Sequence, residues 1–205
     1  NLQKPDVTDI KWCEATVDYF KPDYIFHLFG IKGSPRMTKE RPVDFMGPML
    51  QGDTNMILTA QKYGVKRFLY TSSIATENKN TDKYPATAKD TAHTLIEAMR
   101  IQYPNGTKYV MVKPVNIYGR YDDFNSPYKM VITNLIDMAL KGKITLYNNG
   151  ETIRDFVNAK DCARGMIEAM EQMPVNMVNI SSGKGILIKD VAEIVSKYTK
   201  VPITY

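Results

Sequence analysis

Gly64-Val-Lys-Arg-Phe-Leu-Tyr-Thr-Ser-Ser73 marks a change of hydrophobic period that decides the fold class. Before it, Leu50, Ile57, Leu58 and Ala60 recur at near-helical spacing between Gly47 and Tyr63, which gives one helix face an apolar stripe. Gly64 stands where a helix is capped in the left-handed conformation, a position glycine fills without a Cβ penalty. The aromatic and apolar run that follows, Arg67 to Ser72, reads as a strand.

Outward from this junction the alternation repeats. Further strands are expected at Tyr24 to Leu28, Lys108 to Lys113, Ile144 to Tyr147 and Met177 to Ile180. Helices are expected over Ala86 to Tyr103, Tyr128 to Lys141, Ala159 to Glu171 and Ile186 to Thr199. In the first of these, Ala88, Ala92, Leu95, Ile96 and Met99 make one apolar stripe that must pack on a sheet or a partner. Strands alternating with helices predict βαβ units and a doubly wound parallel sheet. There is no internal repeat and no low-complexity linker.

Composition narrows the function. The 205 residues, 43% hydrophobic, suffice for a buried core and exclude general disorder. No stretch approaches the roughly 20 apolar residues that span a bilayer, so a soluble cytoplasmic protein without a membrane partner is expected. Cys13 and Cys162 lie far apart and read as buried thiols, neither a disulfide framework nor a zinc pattern. The formal charge of +5 is spread along the chain without a basic run, which argues against nucleic acid. An anionic small molecule needs only one or two well placed cations.

Three segments in order carry a resemblance, and a fourth stretch strengthens it. Asp6-Val-Thr-Asp9, Tyr24-Ile-Phe-His-Leu-Phe-Gly30 and the Gly64 to Ser73 stretch, and then Lys113-Pro-Val-Asn-Ile-Tyr-Gly119 followed by Gly150-Glu-Thr-Ile-Arg-Asp-Phe156, together resemble the extended short-chain dehydrogenase/reductases. The likeness is to the NAD-dependent epimerase/dehydratase family, nearest its GDP-fucose synthase and nucleotide-sugar epimerase branch. It implies NAD(P)-dependent epimerisation, dehydration or reduction of a nucleotide-diphosphate sugar through a keto-sugar, with NAD or NADP as cofactor. It assigns cofactor contact to Asp6, Val7, Leu28, Phe29, Lys89, Pro114 and Val115, catalysis to Ser73, Tyr84 and Lys89, and substrate contact to Ser73, Asn116 and Arg154.

The chemistry behind those assignments is specific. A phenol near its ordinary pKa of about 10 is almost fully protonated at neutral pH, so a tyrosine acid/base needs a neighbouring ammonium. Lys89 can supply it and also hold the nicotinamide ribose, while Ser73 orients the substrate oxygen. Arg154 can pair bidentately with a diphosphate, and Asn116 can donate an amide hydrogen bond. Lys32 is a further possible contact, or a solvated loop lysine.

The family spacing Tyr-x-x-x-Lys is not kept, because Pro85 stands four residues before Lys89 and the tyrosine is Tyr84. Five residues along a regular helix separate two side chains by about 140°, which turns Tyr84 away. With Pro85 at the first helical position, Tyr84 instead precedes the helix and its direction is open. Met49 replaces a supporting asparagine, Phe29 a small residue and Lys113 an arginine. Ile74 and Met130 replace the cysteine and histidine of 3,5-epimerisation, which speaks against GDP-fucose synthase activity itself. A non-catalytic or truncated sugar-nucleotide-binding relative is the alternative. Neither His27, read as a structural strand-end residue, nor His93 forms a Ser/His/Asp set, so hydrolase chemistry is not expected, and nothing suggests a metal site.

The resemblance begins near the family's third strand, without a Gly-x-Gly-x-x-Gly turn. The expectation is therefore an α/β protein with an incomplete Rossmann-type doubly wound parallel sheet and a smaller C-terminal substrate-binding region, a fragment lacking roughly 60 residues at the front. Residues 1–115 would be the remaining part of the dinucleotide-binding domain. Residues 116–205 would be mainly substrate-binding, with some segments returning to the Rossmann domain. The family implies a homodimer in the complete protein through the Gly47 to Tyr63 and Ala86 to Tyr103 helices.

Overall fold

A computed structural model describes residues 5–31, 35–77 and 83–205. The chain divides into two units, Asn1–Pro114 with Arg164–Asn179, and Val115–Ala163 with Ile180–Tyr205. The first begins with α1 (Ile10–Phe20), β1 (Tyr24–His27), α2 (Pro35–Glu40), α3 (Pro42–Lys62), β2 (Arg67–Thr71), α4 (Lys83–Gln102) and β3 (Lys108–Pro114). The chain continues through β4 (Asn116–Tyr118), α5 (Val131–Leu140), β5 (Ile144–Thr145) and β6 (Ile153–Asn158). It ends with α6 (Ala159–Gln172), β7 (Val178–Ile180), β8 (Gly185–Leu187), α7 (Ile188–Thr199) and β9 (Ile203–Thr204).

Among the described residues the first unit is built on a four-stranded sheet in the order β1-β2-β3-β7. β1 pairs parallel with β2, and β2 with β3, as the βαβ reading requires. Side chains alternate across a strand, so Phe68, Tyr70, Tyr109 and Met111 face one side, where they pack with Ile57 and Ala60 of α3 and Ala92, Ile96 and Met99 of α4. Leu69, Val110 and Val112 point the other way and are fully buried as well. A parallel sheet covered on both faces is thus in place. Arg67, at the start of β2, ties the sheet to α6 by donating from Nη1 to the carbonyls of Met170 and Glu171 at the end of that helix.

The junction quoted first folds as read. Gly64 adopts φ +66°, and Val65 donates to the Ala60 carbonyl, closing α3. The front of α3 differs from the sequence reading: it starts at Pro42 and continues through Gly47 and Pro48. Pro42 needs no N–H in the first turn, and Asp44 complements the helix dipole there. Phe45 and Met49, on either side of Pro48, are buried with Ala88 of α4, which holds the helix across the missing hydrogen bond.

The second unit contains two small sheets. In one, β6 pairs parallel with β4 and antiparallel with β8. That pairing takes Gly185–Leu187 as strand, so α7 starts at Ile188 rather than Ile186. In the other, β5 pairs with β9 over two residues, shorter than the expected strand to Tyr147. Leu135 and Ala139 of α5 and Val191 and Ala192 of α7 close its core around Ile144 and Leu146.

Ile57 is completely buried at the meeting of α3 with the sheet, whereas Ile101 on α4 is 83% exposed. Ile57→Ala is expected to lower unfolding stability by about 2–5 kcal/mol, and Ile101→Ala to change it by no more than about 0.5 kcal/mol. Urea unfolding of both variants checks this, and equal losses would contradict the core assignment.

Candidate active site

The first unit buries a charge cluster between its sheet and helices. Asp53, in the middle of α3, is 1% exposed and has partners on three other elements. His27, at the end of β1, approaches Asp53 Oδ1 through Nε2 at 2.7 Å. A carboxylate only accepts, so this contact places the imidazole proton on Nε2. Tyr70 of β2 donates its hydroxyl to Asp53 Oδ2 at 2.6 Å. Lys89 of α4 places Nζ 3.5 Å from the same oxygen and 4.6 Å from the centre of the Tyr70 ring.

The Lys89 ammonium has an ion-pair partner and an aromatic face but, among the described residues, no acceptor at close hydrogen-bond distance, although it is buried. Burial lowers its pKa from 10.5, and Asp53 works against that shift. Tyr70 moves the other way: burial and then the Asp53 charge raise its pKa, so it stays a neutral donor. An ammonium with unused N–H groups in a low-dielectric setting calls for oxygen acceptors. Ribose hydroxyls would satisfy it, so this part of the site fits a nicotinamide dinucleotide.

Two of the residues assigned to the cofactor, Val7 and Phe29, meet at the same stretch of α3. A Cβ on Gly52 would come within 2.7 Å of the Phe29 ring and 2.9 Å of Val7 Cγ2, so Val7 and Phe29 meet over a glycine that lets them approach. Asn55, one turn of α3 further on, donates to the carbonyls of Val7 and Thr8. Asp6 accepts from the amide and hydroxyl of Thr8, fixing the turn before α1. Leu28 is exposed beyond β1. Pro114 is buried at the end of β3, and Val115, half-buried, opens the second unit.

The catalytic assignments separate. Ser73 follows β2 directly, and its carbonyl accepts from the amide and hydroxyl of Thr76. Tyr84 lies in the first turn of α4, which is described from Lys83 onward, so it does not precede the helix. Pro85 fits there because first-turn amides have no intrahelical partner. Tyr84 is therefore turned by about 140° from Lys89 and sits 38% exposed beside Lys83 Nζ.

In the second unit, Asn116 donates Nδ2 to the Asp155 carbonyl at 2.7 Å, spending one of its two N–H groups on β6. Asp155 accepts from Ser182 N, Ser182 Oγ and Gly183 N, which pins the turn before β8. The neighbouring Arg154 is exposed and donates only to the Ile153 carbonyl among the bonds described for it. Its side chain lines a cavity of about 240 Å³ with Asn134, Leu135, Leu146, Thr152 and Ile188. A cation at the rim of a hollow with an apolar floor suits a nucleotide diphosphate. Lys32 lies outside the described residues.

Residues 1–181 match the NAD dependent epimerase/dehydratase family. The chain belongs to that family. GDP-L-fucose synthase 1 of Arabidopsis thaliana is 26% identical over 90% of this chain and 65% of its own length. GDP-L-colitose synthase of Yersinia pseudotuberculosis is 23% identical over 94% and 70%. The chain thus spans about two thirds of the length of these relatives. Among solved structures, UDP-glucose 4-epimerase of Thermotoga maritima with UDP-glucose superposes with a TM-score of 0.86 at 22% identity, covering 97% of this chain and 68% of that one. GDP-mannoheptose C4 reductase of Campylobacter jejuni with NADP bound gives 0.84 at 17%, covering 100% and 78%. These superpositions establish the fold as that of the epimerase/dehydratase family.

Asp53, Tyr70 and Ser72 were not singled out by the sequence. Asp53 carried one usable signal, a lone acid within the apolar stripe of α3. For His93 the sequence offered no partner, yet its Nε2 lies 2.8 Å from Ser72 Oγ and its Nδ1 3.6 Å from Asp90 Oδ1. This row of Ser, His and Asp is no nucleophile relay. The second distance exceeds hydrogen-bond reach, and Ser72 is buried with its amide bonded to Val112 in the sheet. No metal-ligating group of acids, histidines and cysteines occurs among the described residues, and no described helix is long and apolar enough to cross a membrane. Both cysteines are buried and free, Cys13 with its pKa pushed up to about 11, chiefly by burial.

Burial lowers the pKa of His93 from 6.5 against the pull of Asp90, with Lys113 and Lys89 adding to the lowering. Above pH 6.5 neither the folded nor the unfolded chain protonates this ring appreciably. Below it the unfolded chain takes the proton first, and stability is lost until pH reaches the folded value. His93→Gln is expected to remove that part of the acid sensitivity in unfolding titrations between pH 7 and 5. Parallel pH curves for wild type and variant would contradict it.

Proposed function

We propose that this chain belongs to an NAD(P)-dependent enzyme that epimerises, dehydrates or reduces a nucleotide-diphosphate sugar through a keto-sugar. The observation that carries the reading is the buried Lys89 ammonium without an acceptor, at the lysine position of the family motif and within the unit that holds Val7 and Phe29. A bound nicotinamide would supply hydride acceptance and donation. Lys89 would hold the ribose hydroxyls, Val7, Phe29 and Leu28 would cover the cofactor with Asp6 at the adenine end, and Pro114 and Val115 would border it. Ser73 would orient the sugar oxygen, while Arg154 and Asn116 would take the diphosphate. That two relatives are named for GDP-sugar products and one solved neighbour holds UDP-glucose supports the substrate class. A homodimer through α3 and α4, where Leu58 of α3 is exposed, and a cytoplasmic location belong to the same proposal.

A second reading, a relative that binds sugar nucleotides without redox chemistry, is favoured by Tyr84. Partly exposed, this side chain is turned away from Lys89, the ammonium that the family motif pairs with the tyrosine. In the first reading Tyr84 fills that role after a rearrangement of the first turn of α4. Tyr84→Phe separates the two. With NAD(P) and a nucleotide sugar present, loss of cofactor reduction on substitution supports the enzyme, and binding without reduction in the wild type supports the second reading.

Calorimetric titration with UDP- and GDP-sugars tests the shared part. Binding is expected to weaken at least about tenfold in Arg154→Ala, as for the loss of a charge-assisted hydrogen-bond pair. Absence of binding to every nucleotide sugar by the wild-type chain would overturn the substrate class.

A further inference from the structure

Among the described residues no protein acceptor lies at close hydrogen-bond distance from Lys89 Nζ. Its ammonium is located by two things: Asp53 Oδ2 at 3.5 Å and the face of Tyr70 at 4.6 Å. Asp53 in turn cannot swing away. His27 holds one oxygen at 2.7 Å and Tyr70 the other at 2.6 Å, and all three side chains are buried. The Tyr70 and His27 rings are themselves stacked, 5.9 Å apart at 19°, so the clamp is braced by the two strands that carry it.

We propose that Asp53 is the positioning residue of Lys89: its carboxylate, clamped by His27 and Tyr70, fixes both the location and the positive charge of that ammonium. The proposal rests on the reading of Lys89 as the cofactor-facing cation, and it adds the group through which that lysine is set.

The charges around the ammonium leave this task to Asp53. On α3 the facing group is Asp53 itself. From β2 comes Tyr70, kept neutral, and from β1 His27, which reaches Lys89 only through the carboxylate. On α4, His93 lies one turn on and is kept from protonating by burial, while Asp90 lies beside His93 and is partly exposed. Lys113 of β3 is a second cation in the neighbourhood, paired with Glu77 at 3.0 Å. Among the described residues one buried anion therefore faces one buried cation. Without it the ammonium would sit in a low-dielectric pocket with only the face of the Tyr70 ring beside it. Burial would then favour its neutral form.

Asp53→Asn is the informative variant because an asparagine keeps the shape, accepts from Tyr70 and can donate to the other tautomer of His27. It removes the charge alone. The readout is Lys89 itself in the ¹⁵N,¹³C-lysine-labelled chain, assigned by the signal missing in Lys89→Arg. An ammonium held in a buried ion pair is shielded from exchange with water and gives a proton–nitrogen signal at neutral pH. The wild type is expected to show it, with a titration midpoint below 10.5. In Asp53→Asn the signal should vanish and the proton affinity fall at least about tenfold. Tyr70→Phe, which removes a hydrogen bond and leaves the charge, should keep the signal.

An unchanged signal and midpoint in Asp53→Asn would overturn the proposal. If that variant does not fold, the wild type still decides: a Lys89 signal broadened by exchange like those of surface lysines overturns it, and a protected one supports it. NAD titration of the same samples is read separately. A protected Lys89 in a chain that binds no nucleotide would support the role of Asp53 while overturning the functional reading.

Discussion

One buried carboxylate organises the first unit. An isolated aspartate inside a protein would be neutralised or would cost several kcal/mol. Asp53 is tolerated because Tyr70 and His27 donate to its two oxygens and Lys89 balances its charge. Those three partners come from β2, β1 and α4, so satisfying one charge fixes the relation of α3 to two strands and a second helix. A hydrophobic core alone tolerates many arrangements of nearly equal energy. A buried carboxylate with directional partners tolerates few, since losing any one partner leaves a polar group unpaired.

The same constraint shapes the surface above it. Gly52 precedes Asp53, and the lack of a side chain there lets Phe29 and Val7 close over α3. Asn55 then ties the chain at Val7 and Thr8 down onto the helix. A short piece of α3 thus supplies the charge that sets Lys89, the gap that admits Phe29 and the amide that holds the turn before α1. The family motif places Lys89, but its neighbourhood is made by residues 52, 53 and 55. Tyr84 is outside this arrangement: it lies in the first turn of α4, turned by about 140° from Lys89.

The sequence showed the layers of the fold and little of what joins them. Gly64 and the strand after it were legible because capping and alternation are local, and local rules survive folding. The start of α3 was misread because Gly47 and Pro48 are helix breakers by propensity, while burial of Phe45 and Met49 overrides propensity by tertiary contact. β8 was absorbed into α7 because three residues show no period of their own, and their pairing with β6 is set by a segment some 30 residues away. Lys89, Arg154 and Asn116 were assigned their roles through the family resemblance. Tyr70 and His27 lie within stretches that carry the resemblance but were given no role there as partners of an acid, and Asp53 lies in none of those stretches. Their contacts span 17 to 26 residues of sequence, and only the register of β1 against β2, which sets His27 beside Tyr70, makes them neighbours.

The two cations assigned to nucleotides differ in a way that divides their tasks. Arg154 is exposed, so its field reaches into solvent and is screened over about 8 Å at physiological ionic strength. Such a charge helps capture an anion and loses strength as salt rises. Lys89 is enclosed beside its counter-ion, so its net field at a distance is small and salt hardly alters it. Its value lies at contact, where a desolvated ammonium with unused donors binds neutral hydroxyls as well as charged groups. Burying one cation with an anion and exposing the other therefore gives one residue suited to attraction and another suited to orientation. Attraction suits an anion such as a diphosphate, whereas contact hydrogen bonding suits an uncharged group such as a ribose hydroxyl.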